Sequence, residues 1–163
     1  INNSSIKLLK KLKVDGVGMG IEISSEEFRK TDLNRFPSQE KIVDAFRLLK
    51  NAGIKRTAYN IIGLPNESED MIIDTIKFNQ KLKPDNITVA FYSPYLGTDS
   101  ERKSKINGDF EKYEFNIDNQ LRTVTKSTGI EKSKLEFYKT YFSKFVHEGF
   151  EDIDKLKREF GLK

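Results

Sequence analysis

The sequence predicts an α/β protein in which parallel strands alternate with helices. Three observations carry the prediction. Short apolar runs alternate with amphipathic stretches over the first ninety-odd residues, the amphipathic stretches space their apolar residues as helices do, and Gly, Pro and capping residues separate the segments. Strands that alternate with helices need crossover connections, so we expect parallel strands with helices packed on the sheet.

The first strand is predicted over residues 14–23, after an opening helix. This segment is rich in Gly and β-branched residues, which is typical of a strand buried on both faces. The next helix is expected to begin after Pro37 with Ser38 as its N-cap, and to end at Gly53 in a left-handed conformation. A second strand is predicted over residues 55–62.

The next helix and strand repeat this pattern. Asn66 and Glu69 form a capping-box-like start for a helix that ends before Pro84, and a third strand is predicted over residues 86–92. An α/β part over residues 1–98 is therefore expected.

The remainder, residues 99–163, is predicted to be a C-terminal helical extension. Residues 99–130 are polar and rich in turn formers. After them, apolar residues at helical spacing predict an amphipathic helix: Leu135, Tyr138, Phe142 and Phe145. A last short helix is expected over residues 152–160.

Composition excludes several classes of site. The 163 residues contain no Cys, so this chain supplies no disulfide, thiolate metal ligand or Cys nucleophile. Its one histidine, His147, excludes a His-rich metal site and is expected to be a helix-end residue. The 29 basic and 25 acidic residues are interleaved, which favours a mixed-sign surface over a nucleic-acid interface. Without a long apolar run or signal peptide, we expect a soluble, cytoplasmic protein with no membrane partner.

Two polar residues lie in strands that are otherwise apolar. Glu22 lies near the end of the first strand, where an unpaired buried carboxylate is costly, so it requires a neighbouring Lys or Arg, exposure to water, or a ligand. Asn60 lies in the second strand, and its amide is satisfied either by the core backbone or by a ligand. Since parallel strands end at one edge, we expect both side chains on one face; opposite faces would contradict a shared site.

Three glycines and one arginine add to these candidates. Gly16, Gly18 and Gly20 share one face of the first strand and leave room for something to lie against the backbone. A phosphate loop is disfavoured because no Lys-Ser or Lys-Thr pair follows directly after them. Arg35 precedes a predicted helix, where it either binds a ligand carboxylate or is an ordinary surface residue.

The order of motifs resembles the second half of a radical S-adenosylmethionine domain. The nearest likeness is to the group that includes the cobalamin-linked radical enzymes and the oxygen-independent coproporphyrinogen oxidases. The resemblance spans residues 1–98 and is carried by seven segments in order: Gly20-Ile21-Glu22-Ile23-Ser24, Leu33-Asn34-Arg35, Gly53-Ile54, Asn60-Ile61-Ile62-Gly63-Leu64-Pro65, Asn66-Glu67-Ser68, Pro84-Asp85 and Pro94-Tyr95-Leu96-Gly97-Thr98.

The resemblance implies the C-terminal half of a partial (β/α)6 TIM-like barrel, with the three strands as its fourth to sixth. It implies S-adenosylmethionine and a [4Fe–4S] cluster as cofactors of the full-length protein. Cobalamin is a possible further cofactor of the full-length protein. The family's three-cysteine cluster loop lies upstream and is absent here, so we assign no metal ligand and no catalytic residue to this chain. The full-length enzyme would abstract hydrogen from an unidentified small molecule with a 5′-deoxyadenosyl radical, whereas this segment alone is expected to be inactive.

The resemblance also assigns cofactor contacts. Glu22 would contact the methionine or ribose part of S-adenosylmethionine, Arg35 its carboxylate and Asn60 a ribose hydroxyl. The residues implied near adenine are Ile62, Gly63, Ser93 and Pro94. Two positions depart from the family pattern: Asn66 replaces a Gly but tolerates a left-handed backbone, and Leu96 replaces a Pro.

Two alternatives remain. The chain could be a non-catalytic α/β binding or scaffold module, which the absence of a three-cysteine loop upstream would favour. A fragment of another barrel, such as an aldolase, is disfavoured because no strand-end lysine is present to form a Schiff base. Either way, half a barrel exposes strand edges, so we expect self-association or a partner on its open side.

Overall fold

The structure is a computed structural model, and it describes residues 1–93, 97–99, 102 and 129–162. Six main helices and three strands lie within these ranges. In chain order they are α1 (Asn3–Lys11), β1 (Gly16–Glu22), α2 (Glu26–Thr31), α3 (Gln39–Asn51), β2 (Lys55–Ile62), α4 (Glu69–Leu82), β3 (Asn86–Phe91), α5 (Lys132–Glu148) and α6 (Ile153–Phe160). Every helix in the described ranges is too short or too polar to cross a lipid bilayer.

The three strands form one parallel sheet in the order β1-β2-β3. β1 and β2 pair from Gly16 opposite Lys55, and β2 and β3 pair from Thr57 opposite Asn86. α3 and α4 connect the strands as crossovers. The predicted parallel α/β fold is confirmed, and it is consistent with a segment of a partial TIM-like barrel. The helical extension at the C-terminus is confirmed as well.

Helix α3 begins and ends where the sequence predicts. The Ser38 hydroxyl accepts the N–H of Lys41 at 3.2 Å. At the other end Gly53 has a φ of 75°, and the N–H of Ile54 bonds back to the Leu49 carbonyl at 3.0 Å. This closure satisfies the last helical carbonyls and turns the chain into β2.

Helix α4 begins differently from the prediction. Its N-cap is Ser68, whose hydroxyl accepts the N–H of Met71 at 3.3 Å. The predicted cap at Asn66 is therefore wrong. Asn66 instead has a φ of 61°, so it keeps the left-handed turn that was expected of it. A residue in that conformation turns the chain and does not start the helix.

The helices cover one face of the sheet. Along β2, buried residues alternate with exposed or half-buried ones, and the buried set consists of Arg56, Ala58, Asn60 and Ile62. On β3, Ile87, Val89 and Phe91 pack against the core beneath α5. The other face, which we call the open face, carries mostly small or polar residues, with Ile61 as its aliphatic exception: Gly16, Gly18, Gly20, Lys55, Thr57, Tyr59, Ile61, Asn86, Thr88 and Ala90.

The C-terminal extension shares a hydrophobic core with the sheet. Phe137, Phe142 and Phe145 of α5 are fully buried and belong to the same cluster as Ile72 and Ile76 of α4. The Gln80 side chain donates to the Phe145 carbonyl at 2.7 Å, which adds a hydrogen bond between α4 and α5. The division of the chain at residue 98 stays a prediction.

Candidate functional site

An irregularity in β1 sets the position of Glu22. Gly20 pairs with Tyr59 and Glu22 pairs with Asn60, so Ile21 is an extra residue in the ladder. Glu22 has a φ of 62°, an uncommon conformation for a residue with a side chain. As a result its carboxylate lies over Gly20, where an added Cβ would collide with Oε1. Backbone strain of this kind is concentrated at functional sites in proteins.

Glu22 forms an ion pair with Arg35. Arg35 Nη2 lies 3.2 Å from Glu22 Oε1, with the Glu22 side chain 10% exposed and that of Arg35 53% exposed. Burial raises the pKa of Glu22, and the Arg35 charge partly counters that rise. The structure thus brings these two predicted residues together at the carboxyl end of β1. This pairing is also the structural alternative that the sequence left open for Glu22.

Loop geometry directs Arg35 toward Glu22. The preceding residue, Asn34, has a φ of 52°, and the N–H of Arg35 bonds to the Arg29 carbonyl at 2.7 Å. The turn that follows α2 is therefore what brings the guanidinium back over the strand end.

Asn60 lies on the opposite face of the sheet from Glu22. It is 2% exposed, and its Oδ1 accepts from Asn79 Nδ2 of α4 at 2.8 Å. Side chains alternate along a strand, so Tyr59 is the neighbour that faces the open side. The expectation that Glu22 and Asn60 share one face is wrong, because Asn60 is a core amide satisfied by a helix.

The turn after β2 is held by a carboxylate that the sequence analysis did not single out. Ile62 is fully buried, and the N–H groups of Gly63 and Leu64 both donate to Glu67 Oε2, at 2.5 and 3.1 Å. Burial raises the pKa of Glu67 to about 7, although these two backbone bonds lower it in part. An acidic residue just after a Gly-Leu-Pro turn was the available signal.

The last predicted contacts follow β3. Ser93 is half-buried just beyond Tyr92, whose N–H bonds to the Ile62 carbonyl at 2.8 Å. This bond holds the ends of β2 and β3 side by side. Pro94 lies outside the residues that the structure describes.

Arg29 is a second residue that the sequence analysis missed. It is 1% exposed, and its guanidinium donates to the carbonyls of Ile23 at 2.6 Å, Ser24 at 2.7 Å and Pro37 at 3.1 Å. It therefore ties the end of β1 to the start of α3. The available signal was the cap of α2, since Ser25 accepts the N–H of Phe28 and places an arginine one turn later.

The glycines of β1 accommodate side chains of this chain itself. The Tyr59 ring lies against Gly18, and the Glu22 carboxylate lies against Gly20. A cavity of about 700 Å³ adjoins Gly20 and Arg35 and extends to Lys41 of α3. The strand end therefore has charged groups beside open space.

Comparison with known proteins identifies the family. Residues 2–78 match the model of the radical SAM superfamily. This match assigns residues 2–78 of the chain to the radical SAM superfamily. It is 32% identical over 114 residues to the anaerobic magnesium-protoporphyrin IX monomethyl ester cyclase of Rubrivivax gelatinosus, a match that covers 68% of the chain and 20% of the relative.

A second relative matches a shorter part of the chain. The chain is 30% identical over 101 residues to an uncharacterized methyltransferase of Pyrococcus horikoshii, which covers 60% of the chain and 22% of the relative. The chain thus spans about a fifth of the length of the curated relatives it matches. The resemblance inferred from the sequence motifs is confirmed.

Radical SAM proteins imply S-adenosylmethionine and an iron–sulfur cluster, and the two groups fit this chain differently. The 163 residues include no cysteine, and the described residues contain no group of three carboxylates or imidazoles able to hold a metal. The cluster therefore does not fit the residues present. S-adenosylmethionine does fit, because Glu22 and Arg35 offer both charges and a cavity adjoins Arg35.

Proposed function

We propose that this chain is the S-adenosylmethionine-holding C-terminal half of the barrel in a radical SAM enzyme. The observation that carries the proposal is the Glu22–Arg35 ion pair, which lies on the open face at the carboxyl end of a parallel strand. Ligands of parallel α/β folds bind at that end. Residues 1–98 would form the barrel part and residues 99–163 its helical extension, in a cytoplasmic protein without a nucleic-acid partner.

The charges of the pair match the amino-acid end of the cofactor. Methionine carries an ammonium and a carboxylate on one carbon atom, so Glu22 would accept from the ammonium and Arg35 would donate to the carboxylate. Each residue would exchange one partly buried contact for a charge-assisted hydrogen bond. The half-exposed Arg35 guanidinium has further N–H donors for a ligand.

Backbone at the other strand ends would flank the adenine. The proposed contacts are the backbone of Ile62 and Gly63 and the loop that begins at Ser93 and Pro94. Because Ile62 is fully buried, only its main chain is available for such a contact. Glu67 would hold the Gly63 amide in place through its short hydrogen bond.

In the full-length protein the bound cofactor would supply a 5′-deoxyadenosyl radical for hydrogen abstraction, after reduction at a cluster held by other residues. The residues of this chain would bind and orient the cofactor and exclude water from it. Without cluster ligands, the isolated 163 residues are proposed to be inactive. The two relatives are named for different activities, so neither name supplies a substrate.

Binding measurements on the full-length protein test this proposal. Glu22→Gln and Arg35→Ala should each weaken S-adenosylmethionine binding by about 1–3 kcal/mol, the cost of a lost charged hydrogen bond. Isothermal titration calorimetry measures the effect. Arg47→Ala is the matched control, since Arg47 pairs with Asp44 on the surface, and it should leave the affinity unchanged. Wild-type affinity in both site variants would overturn the proposal.

The scaffold alternative rests on the fact that Glu22 already has a charged partner within the chain. A full-length protein without a three-cysteine loop, and without iron or sulfide after anaerobic reconstitution, would favour that alternative. In that case Glu22→Gln would change stability but no ligand affinity.

A further inference from the structure

The chain makes a strained turn at Glu22. The N–H of Ile23 bonds to the Ile21 carbonyl at 2.9 Å, which closes a three-residue turn with Glu22 at its centre. With a φ of 62°, Glu22 has the conformation of the γ-turn with positive φ, a rare and strained form. Strain of this kind persists only where the surrounding structure fixes the backbone. The contacts of the next two residues therefore decide whether the Glu22 carboxylate stays beside Arg35.

The Arg29 side chain fixes the two residues that follow this turn. Its Nη1 donates to the carbonyl of Ile23 at 2.6 Å and to that of Ser24 at 2.7 Å, while Nη2 donates to the Pro37 carbonyl at 3.1 Å. Arg29 is 1% exposed, so water hardly competes for these carbonyls. Because a guanidinium directs its N–H groups in one rigid plane, the three bonds set both the position and the direction of this backbone.

The Arg29 main chain holds the other member of the ion pair. Its carbonyl accepts the N–H of Arg35 at 2.7 Å, directly after the left-handed turn at Asn34. One residue therefore contacts the backbone beyond Glu22 through its side chain and the backbone of Arg35 through its carbonyl. Arg29 and Arg35 also line the same cavity of about 700 Å³. Arg29 is thus the common attachment of both charged groups.

Two further side chains hold Ser24. Its N–H donates to Thr75 Oγ1 of α4 at 3.0 Å, and its carbonyl also accepts from Gln39 Nε2 of α3 at 2.9 Å. These bonds do not involve Arg29, so they remain when Arg29 is replaced. A conservative variant of Arg29 should therefore fold, with the backbone after Glu22 less precisely placed.

We propose that Arg29 is a positioning residue that sets the geometry of the Glu22–Arg35 pair for its ligand. This inference rests on the proposed function. Arg29 would not touch S-adenosylmethionine, and its effect would pass through the two residues that do. Lysine in its place keeps the charge but lacks the planar fork of N–H donors, so Arg29→Lys separates geometry from charge.

Binding to the full-length protein tests this role. Arg29→Lys should weaken S-adenosylmethionine binding about tenfold, the effect of one misplaced charged hydrogen bond, measured by isothermal titration calorimetry. In an Arg35→Ala background the same change should cost much less, because the pair that Arg29 arranges is already gone. Fully additive losses would overturn the inference.

The pH dependence of binding separates a positioning role from a loss of stability. The affinity should fall in acid as Glu22 takes up a proton, and the Arg35 charge lowers the pKa of Glu22 against the larger effect of burial. If Arg29→Lys moves Arg35 away, the acid limb should shift to higher pH, as it should in Arg35→Ala. An unchanged midpoint in a folded Arg29→Lys protein would contradict the proposal.

Arg56→Lys is the matched control. Arg56 is also a buried arginine, but it donates to Asp85 through Nε at 2.9 Å and Nη2 at 3.1 Å, at the amino end of β2. This variant should lose stability in urea unfolding but keep the wild-type affinity and pH midpoint. Equal losses of affinity in both arginine variants would show a general effect of stability and overturn the inference.

The outcomes distinguish this inference from the proposed function. Failure of the wild type to bind S-adenosylmethionine overturns the proposed function, and this inference with it. Normal binding by the wild type, weakened binding in Arg35→Ala and wild-type binding in Arg29→Lys overturn the role of Arg29 alone. If Arg29→Lys does not fold, Gln39→Ala decides, because it removes another bond to the Ser24 carbonyl and should produce the same changes at smaller size. Wild-type binding in Gln39→Ala would then overturn the inference.

Discussion

Gly20 is the residue whose lack of a side chain makes the Glu22–Arg35 geometry possible. In Gly20→Ala, the new Cβ would overlap Glu22 Oε1 and lie 3.5 Å from Arg35 Nη1, so the carboxylate must move. We expect about tenfold weaker S-adenosylmethionine binding in the full-length protein, measured by calorimetry, because one charged hydrogen bond is misplaced.

Gly16→Ala is the matched control for Gly20→Ala. It changes the same strand on the same face, but its Cβ would make only ordinary contacts with Lys55, at 3.4 Å and beyond. Equal losses of affinity in the two variants would show that the strand responds as a whole and that Gly20 has no special part.

Glu67 should give the protein a stability that depends on pH near neutrality. Its pKa is about 7 when folded and 4.5 for the free side chain, so the folded state binds the proton more tightly. The stability that the protonated Glu67 side chain contributes is complete below about pH 4.5. It decreases by roughly 3 kcal/mol as the pH rises through 7. Urea unfolding of wild type and Glu67→Gln from pH 5 to 8 measures this, and parallel profiles would contradict the assignment.

At the residue scale, the sequence predicted some contacts and could not predict others. Glu22 was identified because a charge among apolar residues needs a partner, and Arg35 because it directly precedes a predicted helix. The side occupied by Asn60 was not readable, because Ile61 and Ile62 are both apolar and give the strand no alternation from which to assign a face. The bulge at Ile21 had no sequence signal either, and it decides where Glu22 points.

At the scale of elements, Glu69 connects α4 to both helices of the extension. Its carboxylate accepts from Lys134 Nζ at 2.8 Å and from the Tyr138 hydroxyl at 2.6 Å, and it lies 3.4 Å from Lys157 Nζ. Burial alone would raise the pKa of Glu69, but these bonds and charges hold it at about 2. One carboxylate thus holds α5 and α6 against the start of α4.

Removing that carboxylate should weaken the docking of the extension. Glu69→Ala is expected to lower the free energy of unfolding by about 1–3 kcal/mol, measured by urea denaturation at pH 7. The wild type should lose the same contribution as the pH falls from about 4.5 toward 2, since the folded pKa is depressed. Asp74→Ala breaks only an exposed pair with Lys77 and should change stability by less than about 1 kcal/mol.

Elements differed in how well the sequence revealed them. α5 was predicted because its apolar residues recur at helical spacing over a long enough segment to set a period, and β2 because Gly53 and Gly63 bound a short segment between them. α2 was missed because six residues with a single aromatic, Phe28, show no periodicity, and its tie to the fold is the buried Arg29. The pattern of apolar residues therefore does not reveal short helices that are held by polar contacts.

At the scale of the whole molecule, charge and apolar exposure coincide on α1. Beyond residue 13 the chain has equal numbers of basic and acidic residues, so its net charge of +4 comes from four lysines in the first 13 residues. Leu8 of α1 and Leu12 directly after it are 56% and 63% exposed. Like charges there should oppose contact between copies at low ionic strength.

The sheet edges should nevertheless make the 163-residue chain self-associate. Within the described residues, β1 and β3 each pair along one side only, which leaves backbone N–H and C=O groups free to pair with another copy. Sedimentation velocity over a hundredfold range of concentration should show growing association, and more of it at 0.5 M than at 0.05 M salt. Gly16→Glu adds a charge to the β1 edge beside Lys55 and should reduce association. A monomer at every concentration and salt level would mean that these edges are covered within the chain itself.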